Sequence, residues 1–357
     1  MAKTRDSNIE LMRLICLIMI TIHHRIVFTI SKVPIILDGQ GEIDYLTAIN
    51  IIVNAFCYIG VNCFVLISGY YGINLKWKKL YGLCVACTFY MLIRNLLVAG
   101  GIIDDNFFSI RNLLMPLTSN TYWFITDYVI LCLLSPILNK AIQNLKKKEF
   151  LLILFAFTIA NIYFGYGFLK YNSNGHNVSQ FVYLYLIAAY IRRYVKIQEI
   201  NRNYSLYIYI LASLAFGILS IISHYYHIPK FRSFAYNNPL LLVSSISFLL
   251  YMLSFRFQNN IINWMASSAL AIYLIPGRLL YDHFYYPNVY CPLINKLPEG
   301  IDCIFLLFSL IIPAIYFAIF AVCFDKLRLY VINPIAFKIY NIITEKVRPV
   351  YYKIFYE

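Results

Sequence analysis

The stretch "ELMRLICLIMITIHHR", Glu10 to Arg25, decides how the whole chain is read. It has the length and apolarity of a membrane-crossing helix, yet it carries Glu10, Arg13, His23, His24 and Arg25. Hydrocarbon is a costly place for ionisable groups, so a chain that keeps them there faces them toward protein or a water-filled cavity, and usually uses them.

Working outward, the composition establishes the medium. Of 357 residues 61% are hydrophobic and only 13% charged, and the mean hydropathy is +0.68. A soluble domain has too little interior to hide that much apolar surface. Apolar runs long enough to cross a bilayer fall near residues 9–30, 46–69, 79–100, 121–141, 149–168, 178–195, 204–223, 238–255, 264–282 and 301–324. The sequence therefore predicts an all-α, polytopic integral membrane protein of about ten transmembrane helices, a single membrane domain over residues 1–357. The first run is too long, and too poor in small residues after it, for a cleavable signal peptide.

The net charge of +14 would suit a nucleic-acid partner if the cations were clustered on one surface, but they lie in the loops between spans. With the N-terminus inside, 20 of the 30 Lys and Arg fall on the inner side, seven on the outer side and three (Arg13, Arg25, Arg94) within spans. That bias predicts both termini in the cytoplasm and excludes nucleic acid as the reason for the charge. Nine cysteines, nearly all in apolar runs, form no disulfide framework; Cys84 and Cys87 have redox spacing but no accompanying ligands and read as small core residues. No grouping of residues suggests a metal site.

Helical geometry orders the opening stretch. Arg13 and His24 are 11 residues apart, so at 100° per residue their side chains differ by about 20° and lie roughly 16 Å apart along the axis. Glu10 shares that face, either as a structural partner of Arg13 or as part of the same functional line. His23 points about 100° away and is expected to meet packing or lipid. Arg25 is expected to snorkel to the outer interface. His24 lies roughly 22 Å into the span, in the outer half of the bilayer.

These residues carry a resemblance. Arg13 and His24 in a first span preceded by "RDSNIELMR" resemble the membrane-bound acyltransferase family 3, which O-acylates surface carbohydrates from acyl-CoA. "GVNCFVLISGYYG" (Gly60 to Gly72), "TYWFITDYVILCLLSPILN" (Thr121 to Asn139), "YNNPLLLVSSISFLL" (Tyr236 to Leu250) and "ALAIYLIP" (Ala269 to Pro276) are similar to later signatures of that family, in its order. Two features depart from it. Pro276 stands where many members carry histidine, with His283 seven residues on, and the arginine-rich first cytoplasmic loop is here "LKWKK".

The resemblance implies His24 and Arg13 as catalytic residues, acetyl-CoA or another acyl-CoA as donor, a surface glycan or lipid-linked saccharide as acceptor, and residence in the bacterial inner membrane. On that reading Lys76, Lys78 and Lys79 form a basic inner surface for the CoA phosphates, and Ser68 lies at the same level, unless it serves helix packing. Arg94 and Asp127 sit in the outer half, either as an ion pair at the acceptor end or with Asp127 orienting His24. Tyr122 and Trp123 offer aromatic surface for a sugar ring, or simply anchor the span at the interface. The alternative is a proton-coupled transporter or exporter of a lipid-linked glycan, with His24, Arg94 and Asp127 as a proton relay; the absence of internal repeats and the scarcity of Gly and Pro within the spans disfavour it.

Overall fold

A computed structural model describes residues 6–30, 43–102, 110–118, 122–168, 174–226, 234–275 and 281–356. Among them there is no strand. The helices are α1 (Ser7–Arg25), α2 (Tyr45–Cys57), α3 (Gly60–Tyr71), α4 (Trp77–Ala99), α5 (Ile110–Leu114), α6 (Trp123–Asn144), α7 (Lys147–Thr158) and α8 (Val178–Tyr194). They continue with α9 (Arg202–Tyr225), α10 (Pro239–Leu253), α11 (Asn260–Ala266), α12 (Ala269–Leu274), α13 (Cys291–Ile294), α14 (Ile301–Leu327) and α15 (Asn333–Tyr356). Pro276 and the cations Lys32, Lys170, Lys230, Arg232 and Arg278 lie outside the described residues.

Among the described residues seven helical segments are long and apolar enough to cross a membrane: Ser7–Ile30, Tyr45–Tyr71, Trp77–Ala99, Trp123–Asn144, Lys147–Gly167, Arg202–Tyr225 and Ile301–Lys346. Three of the runs seen in the sequence are shorter as helices. α8 has 17 residues and α10 has 15, about 25 and 22 Å of helix against the roughly 30 Å of a hydrocarbon core. The run at 264–282 is broken after Ala266, where Ser267 and Ser268 separate α11 from α12. Side-chain caps begin these pieces: Asn177 accepts from Gln180 N, Asn238 from Leu240 N with Pro239 opening α10, and Asn259 from Ile261 N and Ile262 N.

The distribution of polarity is the reverse of a soluble protein's. Leu96, Ile137, Leu152, Phe155, Leu211, Phe308 and Tyr316 are more than half exposed, whereas Asn54, Asn62, Asn161, Gln180, Ser213 and Asn237 are fully buried. An outside of this kind suits lipid, and buried amides between helices act as hydrogen-bonding links. Asn62 Nδ2 and Gln180 Nε2 both donate to Tyr236 O at 3.0 Å, and Asn237 Nδ2 donates to Asn161 O at 2.7 Å. The short segment before α10 is thereby fixed by α3, α8 and the continuation of α7.

Contacts sort into two ends. At one, Tyr71 donates to Asp6, Ser7 reaches Gln258 and Asn263, Arg192 lies over Tyr70, and Lys78 lies over Phe337 of α15. At the other, Tyr58 donates to Phe234 O, Thr29 to Asp282 and Tyr45 to Asp302. The first end collects the segments that the charge bias assigns to the inside, and the second those assigned to the outside.

Candidate active site

α1 is central because α3 comes unusually close to it. A Cβ on Gly60 would stand 2.6 Å from Ile20 Cγ1 and 2.9 Å from Cys16 O, so a larger residue at the start of α3 would push the two helices apart. Inside this contact Arg13 pairs with Glu10, Nη1 to Oε1, at 2.9 Å. Glu10 is nearly enclosed and Arg13 about a third exposed, so the guanidinium is held at its base by the carboxylate while its other face looks into open space.

That space is two cavities sharing Arg13, Ser68, Leu83 and Tyr128. The first, about 370 Å³, opens between Gly72–Lys76 and the start of α4, with Lys76 and Lys79 in its wall. The second, about 300 Å³, continues along α1 past Leu17 to Ile20 and is lined by Val61, Phe64, Phe124 and Tyr273. A polar, basic mouth thus leads past one arginine into an apolar pocket. At the waist Ser68 Oγ donates to Phe64 O at 3.0 Å and meets Tyr128 OH at 3.2 Å; Ser68 therefore both satisfies its own helix and faces the passage. The floor of the mouth is fixed from two helices. Asn139 Nδ2 donates to Ile73 O, Ile73 N donates to Tyr185 Oη, and Tyr185 donates to Asn139 Oδ1, while Gly72 adopts φ +75°, where a Cβ is strained.

The three lysines of the first inner loop separate. Lys76 and Lys79 line the mouth. Lys78 turns away, its Nζ 5.1 Å from the centre of the Phe337 ring on α15, so the expected three-lysine patch is two lysines plus a packing contact.

His24 stands above the second cavity, which stops at Ile20, four residues or about 6 Å lower on α1. Its ring is 5.4 Å from that of His23 and 5.7 Å from that of Phe28. His23 has polar company: its Nδ1 is 2.7 Å from Asn54 Oδ1, and its ring is 4.9 Å from Tyr58. Tyr58 stacks on Tyr236 at 4.6 Å, and Tyr236 contacts both His176 (4.8 Å) and Trp123 (5.6 Å). Tyr236 is buried, Trp123 half-buried and His176 exposed, so a run of rings descends from the surface at this end to the histidine pair.

Arg25 does not snorkel. It is buried, with its guanidinium 4.3 Å from the centre of the Tyr281 ring and Nη1 donating to Leu310 O at 3.3 Å. Among the described residues no ion pair joins Arg94 to Asp127, and no hydrogen bond joins Asp127 to His24. The Tyr122 hydroxyl donates to Leu274 O at 2.9 Å and ties the start of α6 to α12. Trp123 is packed between His176, Tyr236, Phe124 and Phe181, and Asp127 is half-buried outside both cavities. No group of His, Cys, Asp and Glu that could hold a metal occurs among the described residues.

Asn54, Tyr58, His176 and Tyr236 were invisible as site residues in the sequence. Single aromatic and amide residues in apolar runs read as core, and only the packing of α1, α2 and the segment before α10 brings them to His23.

A helical bundle with a lipid-type exterior, a hydrogen-bonded polar interior and a basic-mouthed passage along its first helix is an integral membrane protein built around an internal site. Residues 6–328 match the family model described as an acyltransferase domain. The chain belongs to the acyltransferase 3 family and is a membrane acyltransferase. No curated protein and no solved structure matches it.

Proposed function

We propose that the protein transfers an acyl group, in the simplest case acetyl, from cytoplasmic acyl-CoA to a hydroxyl of an extracytoplasmic surface glycan or lipid-linked saccharide, in a bacterial inner membrane that it crosses about ten times with both termini inside. The observation that carries this reading is Arg13, shared by the basic mouth and the apolar pocket that runs beneath His24. Lys76 and Lys79 suit the diphosphate of CoA, the apolar pocket suits its acyl-bearing arm, and Arg13 between them suits a phosphate or a pantetheine amide.

In this mechanism His24 takes the proton of the acceptor hydroxyl as that oxygen attacks the thioester carbonyl. The tetrahedral intermediate collapses with cleavage of the carbon–sulfur bond, and the imidazolium returns its proton to the departing thiolate. The products are the O-acyl ester and free CoA.

The test is NMR of the surface polysaccharide from cells with and without the gene, together with thiol release from acetyl-CoA by the purified protein. Loss of one O-acyl resonance and release that depends on an acceptor are expected. An unchanged polysaccharide with no thiol release rejects the reading.

A further inference from the structure

A further cavity at the inner end lies beside the donor mouth rather than in it. About 720 Å³ in volume, it is bounded by the ends of α3, α8 and α10 and the segments that follow α8 and α10, with Asp6 and Asn8 at the start of α1 on its edge. Its wall carries Arg192, Arg193, Lys196 and Arg256 against one carboxylate, Asp6, whose Oδ2 accepts from Tyr71 at 2.8 Å. Tyr70, Tyr71, Phe255 and Phe257 stand among the cations. An inward excess of basic residues accounts for the charge. Lys196 pairs with Glu199 at 2.7 Å, and Arg193 donates to Ile142 O and lies over Tyr194; the inward bias does not account for the other two, Arg192 and Arg256, coming from separate segments to one concavity with aromatic rings between them.

Two details give the concavity a direction. Tyr71 lines both it and the donor mouth, so the two spaces share a wall one residue from Gly72. Arg192 is held over Tyr70 and Tyr71, 5.0 and 5.6 Å from their ring centres, which orients its guanidinium before any ligand arrives. Arg256 extends the basic surface into a neighbouring 210 Å³ depression that it shares with Arg202.

We infer that this cavity binds the 3′-phosphorylated adenine nucleotide end of the acyl donor, with the phosphate on Arg192 and Arg256 and the base among the tyrosine and phenylalanine rings. Guanidinium groups match the phosphate monoester bidentately, and the rings offer stacking surface that a lipid headgroup would not use. The inference rests on the acyl-CoA reading above and divides the donor between two sites: nucleotide beside Tyr71, diphosphate at Lys76 and Lys79, thioester beyond Arg13.

The experiment uses the purified full-length protein, with Arg192→Ala and Arg256→Ala, and with Arg256→Lys as a charge-preserving variant. Adenosine 3′,5′-bisphosphate binding is measured by calorimetry, and transfer is measured with acetyl-CoA and with S-acetylpantetheine, which has no nucleotide. Removing one phosphate-holding guanidinium is expected to weaken bisphosphate binding and raise the KM for acetyl-CoA roughly tenfold, with S-acetylpantetheine transfer unchanged and Arg256→Lys intermediate. Bisphosphate binding that is absent, or unaffected by either alanine, overturns the site, as does equal loss with both donors. Binding to phosphatidylglycerol vesicles that falls in the alanine variants while bisphosphate binding stays intact overturns it in favour of a lipid site. If the wild type binds the bisphosphate but transfers from neither donor, the acyl-CoA mechanism fails while the nucleotide site stands.

Discussion

At the scale of single residues, two adjacent histidines of identical chemistry have different surroundings. His24→Ala is expected to lower transfer by roughly 10²- to 10⁴-fold, the usual effect of losing a general base, in protein that unfolds at the wild-type temperature. His23→Ala is expected to act on stability instead. It removes the contact to Asn54 Oδ1, and Asn54 is fully buried, so unfolding should be easier by about 1–3 kcal/mol while measurable transfer persists. Thermal unfolding in detergent beside turnover assays checks both; a stable, inactive His23→Ala would exchange the two roles. The lysines divide in the same way. Lys76→Ala with Lys79→Ala should raise the KM for acetyl-CoA with kcat nearly unchanged, since contacts remote from the thioester bind ground and transition states alike, and the effect should shrink in high salt. Lys78→Ala should leave that KM where it is, because Lys78 lies on Phe337. A KM that follows Lys78 rather than Lys79 would remove the mouth from the donor path.

At the scale of elements, α3 shows how much chemistry a short motif can hold. Within "GVNCFVLISGYYG" Gly60 admits α1, Asn62 fixes Tyr236 O, Ser68 meets Tyr128 at the waist, and Gly69 lies against the backbone of Tyr185 on α8. A Cβ at residue 69 would stand 2.7 Å from Tyr185 Cα, a clash with backbone that no rotamer relieves. Gly69→Ala is therefore expected to destabilise the fold by about 1–3 kcal/mol and, because Tyr185 also holds Ile73, to raise the KM for acetyl-CoA. Unchanged unfolding and unchanged KM would show that α3 and α8 are farther apart than they are here. The helices themselves were legible from hydropathy and length. Their ends were less so, since the caps at Asn177, Asn238 and Asn259 lie at or beyond the edges of runs that hydropathy bounds only coarsely, and α11 and α12 read as one span.

At the scale of the whole molecule, the two-ended sorting of contacts makes a topological prediction. In a background without reactive native thiols, cysteines at Lys147 and Lys196 should be labelled only after permeabilisation, and one at Glu299 in intact cells; labelling of position 147 from outside would reverse the donor and acceptor ends. That the protein is helical and membrane-embedded, and that Arg13 and His24 fall on one face of the first helix, was legible in the sequence, because hydropathy and helical angle are local properties that survive without knowing any neighbour. The company each residue keeps was not. Arg25 turned inward onto Tyr281, Arg94 and Asp127 unpaired with each other, Lys78 separated from Lys79, and the cations of two inner segments gathered around one cavity all depend on how helices distant in sequence pack. Buried polar groups take whichever partners that packing supplies, so only the tertiary structure could decide them.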